Sequence, residues 1–132
     1  MSTQRPVNPW SWQEPYGFSQ AVEVRDARRQ LVCSGQASVD ADGTPLHPGD
    51  LRAQLRQALA NLGTVLATAG MDYGNVVRLN YYTTDVKAYL AASDEVSRCF
   101  GDVGCKPAGT LLGVAALFHP DILIELEATA VD

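Results

Sequence analysis

Hydrophobic residues recur along this chain with two different periods. Between Asp50 and Ala69 the positions Leu51, Leu55, Leu59, Leu62, Val65, Leu66 and Ala69 return at steps of three and four. That spacing predicts an amphipathic helix, with Asp50 as N-cap and Gly70 closing it. Elsewhere the period is two. The segments "FSQAVEV" and "RRQLVCSGQASV" predict antiparallel strands near 18–25 and 29–37, joined by a hairpin turn at "RDARR". "DADGTPLHPGD" concentrates Asp, Gly and Pro and reads as a loop. "NVVRLNYYTT" predicts a strand, and Asp85 then caps a second helix that places Tyr89, Val96 and Phe100 on one face. "GDVGCKP" ends that helix, and "GTLLGVAALF" and "DILIELEATAV" read as two closing strands across the turn "HPD".

The order strand, strand, helix, strand, helix, strand, strand predicts an α+β domain, and 132 residues suit one domain with its own core. Two helices cover one face of a sheet of about five strands. The strands nevertheless carry apolar residues on both sides. Val77, Leu79 and Tyr81 alternate with Val76, Arg78, Asn80 and Tyr82, and Leu112, Val114 and Ala116 alternate with Leu111, Ala115 and Leu117. The uncovered face therefore predicts burial against other copies of the chain.

Composition narrows the function classes. The chain is 46% hydrophobic and 19% charged, with no apolar run long enough to span a membrane, so a soluble protein is expected. The N-terminus shows no basic start followed by an apolar stretch, which makes the cytoplasm the expected location. Cys33, Cys99 and Cys105 form no CxxC pair, which argues against a disulfide framework or a zinc site. A net charge of -5, with only the short Arg25, Arg28 and Arg29 cluster as a basic patch, argues against nucleic acid as a partner.

Candidate chemistry gathers on the last strand. Alternation places Ile124, Leu126, Ala128 and Ala130 on one face and Glu125, Glu127, Thr129 and Val131 on the other. The two carboxylates thus project together, about 7 Å apart along the strand. In a partly dry cleft a carboxylate serves as an acid or base or orients a water; paired with Arg78 it would be structural. Both readings stay open for Glu125, and the structural one is favoured for Glu127. In "CSGQ", Ser34 and Gly35 either present backbone N–H groups to a ligand oxygen or simply end a strand. Cys105 has Lys106 beside it, but His47 and His119 both lie in distant Pro-rich turns. Trp10 and Trp12 are read as covering a sheet edge.

The segments "FSQAV", "LVCSGQ", "LRAQLRQALANLGTVLATAGMDYGNVVRLNYYTTD", "KPAGTLLGVAAL" and "DILIELEATA", in this order, resemble the Rid family of reactive intermediate deaminases (RidA/YjgF) over residues 17–132. Residues 1–16 are then an N-terminal extension of a single domain, 1–132. The resemblance implies a chorismate-mutase-like fold, a homotrimer whose sheets form a central barrel, and ligand clefts between subunits. It also implies cofactor-independent hydrolysis of enamines and imines derived from amino acids. In the deaminating branch an arginine grips the substrate carboxylate, a last-strand glutamate handles water and protons, and an early tyrosine with a Ser-Gly pair shapes the cleft. Position by position, the glutamate is Glu125, the pair Ser34 and Gly35, and the residue after the arginine Thr110. The tyrosine position holds Phe18. The arginine position holds Gly109. A glycine has no fork of donors for a carboxylate, so the expected ligand is neutral or weakly polar. The implied alternatives are a binding protein without turnover and, last because of its charge, an RNA-cleaving enzyme.

Overall fold

A computed structural model describes residues 3–132 of the chain. Its largest element is α1 (Leu51–Thr68), which begins where the sequence predicts: the Asp50 carboxylate accepts the Ala53 N–H at 3.0 Å. Gly70, at φ +74°, follows it in the left-handed conformation that turns the chain out of the helix. Leu55, Leu59, Leu62 and Leu66 pack at 0–2% exposure on one face of a five-stranded sheet. That sheet contains β3 (Gln30–Val32), β4 (Gln36–Ala37), β5 (Val76–Thr83), β6 (Leu111–Gly113) and β7 (Ile124–Val131). β7 lies between β5 and the short β3 and β4, all antiparallel to it, and β6 runs parallel to β5 along its other edge.

Several expectations are corrected here. The two early strands do not form a hairpin. β2 (Ala21–Arg25) pairs with β1 (Thr3–Val7) in a separate two-stranded sheet, while β3 pairs with β7. The N-terminal segment is thus built into the fold. The second helix is two, α2 (Val86–Ala92) and α3 (Asp94–Gly101), meeting at Ser93. Asp85 does cap the first of them, accepting the Ala88 N–H at 3.0 Å. The closing strands do not pair with each other, because β5 lies between them, and residues 114–118 form no strand. Along β5 the predicted alternation slips. A bulge between Val76 and Arg78 changes its phase, so Val76 joins Leu79 in the core at 0% exposure.

The faces of β7 match the alternation. Ile124, Leu126, Ala128 and Ala130 are buried beneath the helices, and Glu125, Glu127 and Thr129 stand on the opposite face. Cross-strand register brings Asn80 opposite Glu127 and Tyr82 opposite Glu125 on that face. The open face is therefore more polar than the sequence pattern suggests. Val32, 74% exposed, and Leu112, 39% exposed, are its main apolar surface.

Gln54 ties the helix layer to the loops at the sheet end. Its amide is fully buried, donates to the His47 and Asp121 carbonyls at 3.1 and 2.6 Å, and accepts the Leu123 N–H at 2.8 Å. Gln54→Leu keeps the volume but strands the Leu123 N–H and the Asp121 carbonyl, while the His47 carbonyl keeps the Asp50 N–H at 3.2 Å. We expect it to lower unfolding free energy by about 2–3 kcal/mol in a urea titration, with the slope unchanged.

Candidate functional site

The residues singled out in the sequence separate into two groups. Ser34, Gly35 and Glu125 sit on the β4 and β7 side of the sheet. Gln36 and Ala37 pair with Leu126 and Glu125, which lays the preceding Gly35 against the Glu125 side chain. A Cβ on Gly35 would stand 1.8 Å from Glu125 Oε1 and 2.7 Å from its carboxyl carbon. The glycine leaves the space that the carboxylate occupies. Gly109 and Thr110 lie across β5, beside β6, so two strand spacings, about 10 Å of sheet, separate them from Glu125, and a third separates them from Ser34 and Gly35.

The two glutamates differ in setting. Glu127 accepts hydrogen bonds from the Tyr82 hydroxyl at 2.8 Å and the Asn80 amide at 3.1 Å, which hold its carboxyl below the usual range. Its partners are thus Tyr82 and Asn80, and Arg78 acts on it only as a nearby charge. Glu125 takes no hydrogen bond among the described residues. Burial first, and then the charge of Glu127, push its pKa up. One carboxylate is fixed and favoured in its ionised form, and its neighbour holds a proton more tightly than an ordinary glutamate.

At the other edge β6 approaches β5 through an irregular step. The Leu79 N–H bonds to the Ala108 carbonyl at 2.8 Å and the Tyr81 N–H to the Thr110 carbonyl at 2.9 Å, but the Thr110 N–H turns to the Asn80 side-chain oxygen at 3.1 Å. Gly109 lies against the backbone there: a Cβ at this position would be 1.8 Å from the Leu79 carbonyl oxygen. The segment thus excludes any side chain at 109 unless the strand moves. Lys106 is exposed and does not line the cavity that Gly109 borders.

That cavity, about 680 Å³, opens beside Gly109. Phe18 forms part of it, held because Ser19 donates its N–H to the Pro107 carbonyl at 3.3 Å and its hydroxyl to the Lys106 carbonyl at 2.5 Å. Trp12 meets Phe18 edge-on at 5.7 Å between ring centroids. The tryptophan therefore belongs to the wall of a cavity bordered by β6, the edge strand of the sheet. Tyr81 and Tyr89 face it from β5 and α2, their rings 5.3 Å apart, and burial pushes both phenols well above the ordinary tyrosine range. They stay neutral. Tyr81 and Tyr89 were legible in the sequence only as core positions, since nothing local shows that strand and helix converge beside the segment from Trp12 to Phe18.

Cys105 offers no nucleophile. Its Sγ lies 3.2 Å from the Val76 carbonyl, and burial pushes the thiol up to about 11. His119 Nδ1 accepts the Asp121 N–H at 3.0 Å in its own turn. Among the described residues no helix is long and apolar enough to cross a membrane.

A mixed sheet with its helices on one face and a partly buried glutamate on the other defines an α+β domain of the chorismate-mutase-like class. The Endoribonuclease L-PSP family model matches residues 13–132, and the chain belongs to that family, which includes the Rid (RidA/YjgF) proteins. It is 35% identical over 114 residues to the 2-iminobutanoate/2-iminopropanoate deaminase of Mus musculus, covering 86% of this chain and 80% of that protein. Among solved structures, the Rid-family protein YyfB of Yersinia pestis, described as of unknown function, matches with a TM-score of 0.85 and 38% identity, over 97% of this chain and 98% of that one. Escherichia coli TdcF with bound serine matches with a TM-score of 0.72 and 25% identity, over 87% of each chain.

Proposed function

We propose that this Rid-family chain hydrolyses a neutral imine or enamine, without a cofactor, in clefts formed between the copies of a homotrimer. The observation that carries this reading is the contrast between Glu125 and Gly109. Glu125 keeps a carboxylate whose proton affinity is raised, while Gly109 is pressed onto the Leu79 carbonyl and leaves no room for a carboxylate-gripping side chain. The two groups of site residues lie two to three strand spacings apart on one protomer, about 10 Å or more, and a neighbour supplying Glu125, Ser34 and Gly35 opposite Phe18, Gly109 and Thr110 would complete one cleft.

The chemistry follows from these positions. Ionised Glu125 takes a proton from water as the oxygen adds to the imine carbon, and the nitrogen is protonated. The carbinolamine then collapses: its C–N bond breaks, the hydroxyl proton leaves through the same carboxylate, and a carbonyl compound and ammonia remain. Water supplies the carbonyl oxygen and both hydrogens gained by the imine nitrogen, so imine and water are converted to carbonyl compound and ammonia with nothing left over. Ser34, Thr110 and the Gly35 N–H orient the reacting groups.

The mouse relative is named for 2-iminobutanoate and 2-iminopropanoate, so those substrates make the sharpest test. With amino-acid oxidase generating 2-imino acids and semicarbazide trapping them, the chain is expected to leave trapping unchanged. With an amine oxidase generating imines that lack a carboxylate, it is expected to accelerate ammonia release. Rapid hydrolysis of 2-imino acids would overturn the reading of Gly109. Ligand binding with neither activity would favour a binding protein. Light scattering should give three copies of the 14.2 kDa chain.

A further inference from the structure

The geometry points to a ligand class: the cavity beside Gly109 takes an uncharged molecule bearing an aromatic ring, seated between the N-terminal aromatic segment and the Tyr81–Tyr89 pair. This deepens the reading of the site given above, on which its chemistry rests.

Size is the first argument. About 680 Å³ lies within the range of roughly 300–1,000 Å³ typical of sites for larger organic ligands, and a short aliphatic imine would leave most of it to water. Shape is the second. Five of the lining side chains are aromatic, Trp12, Tyr16 and Phe18 from the N-terminal segment and Tyr81 and Tyr89 from β5 and α2, giving ring faces and edges to a flat guest. Trp12 and Tyr16 are 59% and 69% exposed, so packing of the protomer's own core does not account for them.

The segment that presents these rings is firmly tied. Gln13 is buried at 1% exposure and accepts the Gln20 amide at 3.2 Å, while the Gln20 N–H bonds to the Asn8 side chain at 2.8 Å. Gly17, at φ +75°, makes the left-handed turn between Tyr16 and Phe18. With Ser19 bonded to Lys106 and Pro107, both ends of the aromatic wall are anchored. A wall held in place before binding loses little freedom when a ligand arrives.

Charge is the third argument. Among the described residues Asp94 is the sole charged one lining the cavity, and Arg52 and Arg98 already pair with it at 2.9 and 3.4 Å. Among the described residues no cation lines this cavity, and Lys106 lines only the smaller adjoining hollow of about 90 Å³, so a carboxylate seated against the aromatic wall would lose water without gaining a close partner.

A calorimetric titration of the full-length protein with 2-naphthamide, 2-naphthoate and butyramide tests this. We expect naphthamide to bind, naphthoate to bind at least about tenfold more weakly, and butyramide to give no saturable signal. Trp12→Ala, at an exposed position that should leave folding intact, is expected to weaken naphthamide about tenfold, and Trp12→Phe to restore most of it. Naphthoate binding as tightly as naphthamide, or indifference to Trp12→Ala, would overturn the inference. Failure here with hydrolysis of small neutral imines would leave the proposed activity standing. Binding of naphthamide with no imine hydrolysis would do the reverse.

Discussion

Glutamine in place of Glu125 is expected to cut imine hydrolysis by about 10²–10⁴-fold while leaving the protein as stable as before or more so. Both halves follow from the same environment. Desolvation and the neighbouring Glu127 charge disfavour the ionised form of Glu125, so its folded-state pKa lies above its unfolded value. The folded protein therefore holds this proton more tightly than the unfolded chain does. The stabilising contribution is complete below the unfolded pKa and is lost as pH rises through the folded one. Against wild type, Glu125→Gln should gain in melting temperature as pH rises across that interval and then level off. The activity of the wild type should run the other way, rising with pH as the carboxylate ionises. Melting curves and rates across a pH series check the two limbs together. A variant that loses stability at neutral pH, or keeps its activity, would place Glu125 among structural residues. Gly35→Ala offers an independent route to the same group. Its methyl would occupy the space of the Glu125 carboxylate and force the side chain to another rotamer, lowering turnover with the charge still present.

What the sequence reveals of this site divides along physical lines. The period of α1, its Asp50 cap and the two faces of β7 are local properties, written in residues that contact one another within a turn or along a strand. They appear as expected. Pairing is not local. "FSQAVEV" and "RRQLV" read as a hairpin because they adjoin in sequence, whereas β3 pairs with β7 and β2 with β1. Likewise "GTLLG" has the same alternation whether its neighbour is β7 or, as found, β5 in parallel. The candidate site repeats the pattern. Glu125 and Glu127 share a face by alternation alone, yet their different proton affinities depend on Tyr82 and Asn80, which reach Glu127 through β5–β7 register. The aromatic cavity was the least legible feature, because Trp12, Phe18, Tyr81, Tyr89 and Gly109 come from separate elements and meet only in three dimensions.

Gly109 is where sequence and structure together say most, and restoring an arginine there is expected to damage the protein without giving it a carboxylate clamp. The obstacle is backbone. A Cβ at 109 would stand 1.8 Å from the Leu79 carbonyl oxygen, and β5 cannot swing that oxygen aside as a flexible side chain could. β5 is paired along its length with β7 and holds Leu79 at 0% exposure in the core. The strain must be relieved by pushing β6 outward, which threatens the bonds from Leu79 N–H to Ala108 and from Tyr81 N–H to Thr110. Gly109→Ala isolates this effect, because it adds the clash and nothing else. A loss of about 1–3 kcal/mol is expected, seen as a melting temperature lower by roughly 3–15 °C. Gly109→Arg should be at least as destabilised and should still fail to protect 2-imino acids from semicarbazide. An arginine variant that melts like wild type and hydrolyses 2-imino acids would mean that β6 yields easily, and that the absence of the guanidinium alone sets the substrate class. If instead alanine already lowers stability, the packing of Gly109 on Leu79 is part of the fold, and the preference for an uncharged ligand is fixed by the backbone as well as by the missing charge.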